Sequence, residues 1–289
     1  MPPDTRRLID DAAALIEQAD ALIVAAGAGM GVDSGLPDFR GTEGFWKAYP
    51  ALGKARMEFH RIASPEAFRR HPERAWGFYG HRLQLYRNTV PHAGFGLLRQ
   101  WIGKALQGGA VFTSNVDGHF HAAGFDPNLI EECHGSIHHL QCLASCHERI
   151  WSAEAFDPVV NEQECLLLNS APRCPSCGDL ARPNVMMFSD LEWLERRQRD
   201  QAARLERWLA DLGRPVVIEI GAGTAIPSVR HFSQRVIYEF GGRLIRINPR
   251  ESEAPTSRDV GLAMGAMEAL EAIAVVLGDD WGGQLPLRA

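Results

Sequence analysis

The sequence predicts an α/β protein: a doubly wound, mostly parallel, Rossmann-like sheet with a small inserted zinc-binding module. Three observations predict it. Short apolar runs recur along the chain, and each ends in a glycine-rich or polar turn. Amphipathic helical stripes lie between those runs, the alternation of a parallel sheet covered on both faces. One segment, about 136–185, breaks the alternation and holds two close cysteine pairs.

The elements follow in order. Residues 5–19 carry a helical stripe through Leu8, Ala12, Leu15, Ile16 and Ala19. "ALIVAA" (21–26) reads as a buried strand feeding the glycine loop "GAGMG". Residues 42–107 read as mainly helical, an insertion into the main domain. "GAVFTSNVDG" (109–118), "NLIEECHG" (128–135), "RPVVIEIGAGTA" (214–225) and "GGRLIRINP" (241–249) each read as a strand running into a polar or glycine-rich turn. Two more helical stripes run through Leu194, Ala202, Leu205, Leu209 and Leu212, and through Met264, Met267, Leu270, Ile273 and Leu277. The main domain is expected to span 1–135 and 186–289, with the inserted module at 136–185. In such sheets ligands bind at the carboxyl ends of the strands. Gly27 onward, Asn115, Asp117, His134, Gly221 to Thr224 and Asn248 all fall there.

The chain of 289 residues has a formal charge of −6, 45% hydrophobic and 23% charged residues. That is an ordinary globular composition, with no general attraction to nucleic acid or to an anionic membrane. No apolar run approaches the ~18 residues of a membrane span. The N-terminus is charged throughout and has no secretory pattern, so a cytoplasmic location is expected.

Cys142-x3-Cys146 and Cys174-x2-Cys177 are separated by 27 residues. In a reducing compartment such pairs favour a metal over disulfides. Four thiolates from two turns close a tetrahedral shell around Zn²⁺ and leave no open position, so the expected metal is structural. The looser first pair keeps His147 and Cys165 open as substitute ligands.

The loop at Gly27 is not that of a hydride-transfer enzyme. The expected acidic strand end about 20 residues on is missing from "AYPALGKARMEFHRIA". No Gly-Lys-Ser/Thr closes the loop, so it is not a phosphate-loop NTPase either. Instead it runs into Pro37, Asp38, Phe39 and Arg40: a rigid turn with an acid, a ring and a fixed cation.

These residues resemble the sirtuin family. Gly27-Ala28-Gly29 with Ser34 to Gly41 and Gly44-Phe45-Trp46 resembles its first signature. Thr113 to Gly118 with Ala123-Gly124 resembles the second, and His134-Gly135-Ser136, eight positions before Cys142, the third. "RPNVMMFSD" (182–190), with Val185 and Phe188, resembles the strand lining the acyl-lysine channel. "IGAGTAIPS" and "INPRE" resemble the adenosine-binding turns. The resemblance covers residues of about 8–277.

It implies an NAD-dependent protein deacylase that breaks the nicotinamide–ribose bond and moves an acyl group from lysine to ADP-ribose. By resemblance Phe39 shields the reacting sugar carbon from water, and Arg40 lies near the phosphates and ribose. Asn115, Ser114 and Asp117 orient the ribose and the nicotinamide amide. Gly221, Ala222, Gly223, Thr224 and Asn248 hold the adenosine side, and His134 is the base. An imidazole with an ordinary pKa near 6.5 suits proton removal from a ribose hydroxyl. Tyr79 and Arg82, three apart on one helical face, resemble the pair that binds succinyl or malonyl carboxylates.

The chain departs from the family pattern at several positions. Gly31 replaces a serine and Ser114 a glutamine. Phe188-Ser189-Asp190 stands for Phe-Gly-Glu, and Gly221-Ala222-Gly223 for Gly-Thr-Ser. Some of these changes resemble a branch that includes macrodomain-linked ADP-ribosyltransferases. Mono-ADP-ribosyl transfer to a protein therefore stays open as an alternative, and an inactive NAD or ADP-ribose sensor as a third.

Overall fold

A computed structural model describes residues 3–37 and 41–281. Its centre is a six-stranded sheet of β1 (Ala21–Ala26), β2 (Gly109–Thr113), β3 (Ile130–Glu132), β9 (Pro215–Ile220), β10 (Arg243–Ile247) and β11 (Val260–Leu262). Every neighbouring pair is parallel, in the spatial order β3-β2-β1-β9-β10-β11. The order reverses between β1 and β9, the switch point beside which such sheets bind ligands.

The apolar alternation of the strands divides the core. Leu22, Val24 and Ala26 of β1 join Val216, Ile218 and Ile220 of β9 on one face. That face is covered by α1 (Pro3–Glu17), α7 (Ala93–Lys104) and α11 (Ala266–Leu277). Ile23, Ala25 and Val217 point the other way, under α9 (Arg196–Leu209) and α10 (Ser228–Glu239). Both faces of β1 and β9 are buried, which is why β1 reads as an unbroken apolar run and β9 as one broken only at Glu219.

Between β1 and β2 stand α2 (Gly41–Ala48), α3 (Pro50–Lys54), α4 (Phe59–Ile62), α5 (Pro65–Arg70) and α6 (Pro72–Asn88). Their aromatic side chains form a second cluster: Phe45, Phe68, Trp76 and Phe78 are all at most 1% exposed. This cluster continues into the cysteine-bearing segment. There β4 (Gly135–Cys142), β5 (Trp151–Ser152) and β8 (Ala181–Val185) make an antiparallel sheet, and β6 (Val160–Asn161) pairs β7 (Leu166–Leu167). The short α8 (His119–Ala122) follows the tip of β2.

Three expectations needed adjustment. The first helix spans residues 3–17 rather than 5–19. The helix expected across 191–212 begins only at Arg196, because Asp190 and Gln141 bind the backbone of Glu192 and Leu194 in a turn. The sheet also gains a sixth strand, β11, that hydrophobic periodicity did not reveal. Among the described residues no helix is long and apolar enough to cross a membrane.

Candidate active site

The strand tips at the switch point open into a cavity of about 800 Å³, within the usual range for ligand pockets. Two glycine loops form its floor. Gly27 follows β1, and its backbone N–H donates to Ile220 at 2.9 Å. A Cβ on Gly27 would lie 2.8 Å from both Ala222 Cα and Gly221 O, so only glycine lets the two loops approach this closely. Gly221 has φ 63°, and a Cβ there would sit 2.4 Å from Gly29 Cα. Gly27, Ala28, Gly221, Ala222, Gly223 and Thr224 all line the cavity. Gly29 does not: it packs beneath the opposite loop, where its N–H donates to Gly221 O. Asn248 also differs from expectation. It is 1% exposed and acts from behind, donating Nδ2–H to Ala222 O at 2.8 Å.

The tip of β2 supplies Ser114, Asn115 and Asp117 to the cavity. Asn115 Nδ2 donates to Gly27 O at 3.0 Å, and its N–H is held by Thr113 Oγ1, so the carboxamide is fixed against the first glycine loop. Asp117 Oδ1 accepts the His119 N–H at 2.9 Å. Burial pushes the Asp117 carboxyl up, opposed by His119 and by that amide. His138 donates Nε2–H to Asp117 O at 2.7 Å, so this imidazole fixes the backbone of the turn.

His134 reaches the same cavity from the turn before β4. Gly135 follows it at φ 78°, with Asn184 O only 2.1 Å from where a Cβ would be; glycine is required for β4 to meet β8 there. The His134 ring bonds the backbone of Ser114, and its Nε2 lies 3.1 Å from Ser228 Oγ at the start of α10. Burial lowers its pKa, partly offset by the Ser114 bond. The imidazole is therefore neutral at neutral pH, as a base must be.

The far wall is the lip of Val185, Met186, Met187 and Phe188. Met186 N–H donates to His134 O and Phe188 N–H to Ala63 O, so the lip is tied to both the His134 turn and the helical insertion. Phe188 is 39% exposed and Met186 43%, an apolar mouth open to a ligand chain. Asp190 does not narrow this wall. Its carboxylate turns inward onto Arg182, at 2.8 Å for both oxygens, and both side chains are fully buried. Ser189, where the family has glycine, adopts φ 55°. At Gly31 a Cβ would meet Leu36 Cδ1 at 3.0 Å, a tight contact that a small shift of that side chain relieves.

Tyr79 and Arg82 both line the cavity and are at most 8% exposed. Arg82 donates Nε–H and Nη2–H to Tyr86 Oη, at 2.9 and 2.7 Å. Burial carries the Tyr79 phenol up to about 12. Tyr86 is a third member that sequence reasoning missed, although its spacing of four from Arg82 is helical. Ile226 and Ser228 lie in the quoted turn 220–228 and Arg250 in 247–251; sequence reasoning named those turns but did not single these residues out. Asp38, Phe39 and Arg40 lie outside the described residues.

The four cysteines converge. Their sulfurs lie within 4.8 Å of one another, with Cys142–Cys177 and Cys146–Cys174 both at 3.6 Å. Zn–S bonds of about 2.3 Å in a tetrahedron put sulfurs roughly 3.8 Å apart, so these four fit zinc. His147 Nε2 stands beside them, 3.4 Å from Cys174 Sγ. Cys165 belongs instead to the aromatic cluster under α6.

Comparison with known proteins gives one family. Residues 27–210 match the model of the Sir2 family. An NAD-dependent protein deacylase of Thermus thermophilus is 30% identical over 269 residues, covering 91% of this chain and 92% of its own. One of Thermococcus kodakarensis is 32% identical over 266 residues, covering 91% and 93%. Among solved structures, a Sir2 homolog–NAD complex aligns with a TM-score of 0.66 at 24% identity, over 92% of each chain. A Sir2 variant with a deacetylated p53 peptide and 3′-O-acetyl ADP-ribose aligns at 0.58 and 20% identity, over 94% and 97%. With its parallel sheet, paired glycine loops and four-cysteine cluster, the chain belongs to the Sir2 family.

Proposed function

We propose that this chain is an NAD-dependent protein-lysine deacylase with His134 as its base. Family membership supports NAD-dependent deacylation, and relatives named as such align over nine-tenths of the chain. The observation that carries the reading is the position of His134: a neutral imidazole where both glycine loops, the β2 tip and the apolar lip meet.

NAD, when bound, supplies the nicotinamide–ribose bond to be broken and the ADP-ribose that receives the acyl group. The loops at Gly27 and at Gly221-Ala222-Gly223 fit it, since they cross so closely that any Cβ at Gly27 or Gly221 would clash, leaving bare backbone at the cavity floor. Asn115, already bonded to Gly27 O, presents its carboxamide to the ribose side. Asp117 is held by the His119 amide and offers its remaining carboxylate oxygen to the nicotinamide amide. Val185 and Phe188 flank the acyl-lysine and keep water from it. His134 takes the proton of a ribose hydroxyl on Nε2, the nitrogen that faces Ser228 Oγ. Asp38, Phe39 and Arg40 keep the roles their motif implies.

Incubation of the zinc-loaded protein with NAD and an acetyl-lysine peptide, followed by mass spectrometry, tests this. O-acetyl-ADP-ribose is expected, falling by roughly 100-fold or more in His134→Ala. ADP-ribosylated protein without deacylated peptide would make the chain a transferase. Binding of ADP-ribose with neither product would make it a sensor.

A finer reading concerns the acyl group. Arg82, with Tyr79 and Tyr86 beside it, puts a buried cation at the cavity wall, which favours acyl chains ending in a carboxylate. A thiolate-held zinc suits a reducing compartment, and we place the protein in the cytoplasm.

A further inference from the structure

Strand β9 is apolar on both faces except at Glu219, which is 1% exposed in the middle of the sheet. A buried charge costs several kcal/mol unless it is paired and hydrogen-bonded. Two arginines meet it. Arg246, its register partner on β10, donates Nε–H to Oε1 at 2.6 Å and Nη2–H to Oε2 at 3.3 Å. Arg230 on α10 brings Nε to 3.4 Å from Oε1. None of these three residues lines the cavity.

Arg230 does not stop at Glu219. Its Nη2 reaches Ala222 O at 2.9 Å and Glu251 O at 2.7 Å. Asn248 takes the same Ala222 carbonyl with Nδ2, and its Oδ1 accepts the N–H groups of Arg250 and Glu251, each at 3.0 Å. The two loops that rim the cavity on this side are thus pinned from beneath. In a trans peptide the C=O and the next N–H point in opposite directions. Drawing Ala222 O inward therefore turns the Gly223 N–H outward, towards the cavity that Gly223 lines. The space beside this residue is open: a Cβ on Gly223 would meet only Glu251 Oε1, at 3.8 Å. On the neighbouring loop the Arg250 and Glu251 amides are already taken by Asn248.

We propose that Arg230, together with Asn248, is a positioning residue that aims the Gly223 N–H at the pyrophosphate of the bound dinucleotide. This does the work of the hydroxyls absent from Gly221-Ala222-Gly223. The inference rests on the NAD-binding reading above. Glu219, itself fixed by Arg246, draws the Arg230 guanidinium into place, and the charge of Arg230 strengthens the pull on the carbonyl.

The test is calorimetry on the zinc-loaded full chain with two ligands, ADP-ribose and adenosine. Arg230→Met is expected to weaken ADP-ribose roughly tenfold and adenosine less than threefold, because only the former carries the anion. Arg230→Lys, with three N–H donors in place of five, falls between. Asn248→Asp keeps the acceptor for the Arg250 and Glu251 amides but loses the Ala222 bond. It should show the same ligand split, and it carries the test if Arg230→Met does not fold. Equal weakening of both ligands, or no change in either, would overturn the inference and leave Arg230 a packing residue. A wild-type chain that fails to bind ADP-ribose would remove the NAD reading itself, and this inference with it.

Discussion

Replacing Asp190 with alanine should be among the most damaging single changes outside the cavity floor. Its carboxylate grips both Nη atoms of Arg182 at 2.8 Å, and neither side chain is exposed. It also accepts the N–H groups of Met187 at 3.4 Å and Glu192 at 3.1 Å. Removing one partner of a buried ion pair leaves the other charge uncompensated, which costs about 3–5 kcal/mol. Arg182 would keep only its weak 3.3 Å bond to Val185 O. Since the lip residues Met187 and Phe188 hang on this turn, the KM for acyl peptide should rise several-fold while the KM for NAD changes little. Urea denaturation in excess zinc measures the first effect and steady-state kinetics the second. The double variant Arg182→Met with Asp190→Leu, which replaces the pair by apolar groups, should be less damaging than the two single changes summed. A loss below about 1 kcal/mol for Asp190→Ala, or strict additivity in the double variant, would refute the reasoning.

Other consequences are open to measurement. Cys174→Ser should abolish stoichiometric zinc by elemental analysis and lower the melting temperature, because a structural site contributes folding energy directly. Arg82→Met should reduce turnover of succinyl-lysine peptide far more than that of acetyl-lysine peptide; equal losses would end the acidic-acyl reading. The acid limb of kcat/KM should lie below pH 6.5, since burial lowers the His134 pKa and protonation removes the base. Stability has its own acid slope. Burial lowers His139 to about 4, so its contribution is complete above 6.5 and is lost as pH falls from there towards 4. Glutamine at 139 should flatten that part of a denaturation-versus-pH curve.

The parts of the fold legible in the sequence were those set by local pattern. β1 and β9 stand out because burial on both faces demands near-continuous apolar runs, and their glycine turns because two backbones cross there. β11 was illegible: it has three residues, Val260-Gly261-Leu262, and exists through its register with Ile245 and Ile247. The late start of α9 has a similar cause. Gln141, some fifty positions upstream, holds Leu194 in the preceding turn, and no window along the chain shows that. Of the candidate site, the cleft-lining residues were readable from motif. The anchoring was not: Asn248 was named from its motif but not its bond to Ala222, 26 positions away, and nothing in the sequence ties Arg230 to the same carbonyl, 8 positions away.

The departures from the family pattern share one physical direction. At Gly31 a side chain would crowd Leu36, and at Asp190 the carboxylate faces Arg182 rather than the cavity. At Ala222 and Gly223 no hydroxyl remains, and buried side chains hold the loop from beneath. Polar work has moved from the cavity surface into the scaffold under it. An anchored backbone donor needs no side-chain ordering when a ligand arrives, which favours binding. The same arrangement makes ligand contact depend on buried charges whose loss also costs stability. In this chain, then, changes beneath the glycine loops should alter folding and ligand affinity together, whereas a surface hydroxyl could be removed at the expense of affinity alone.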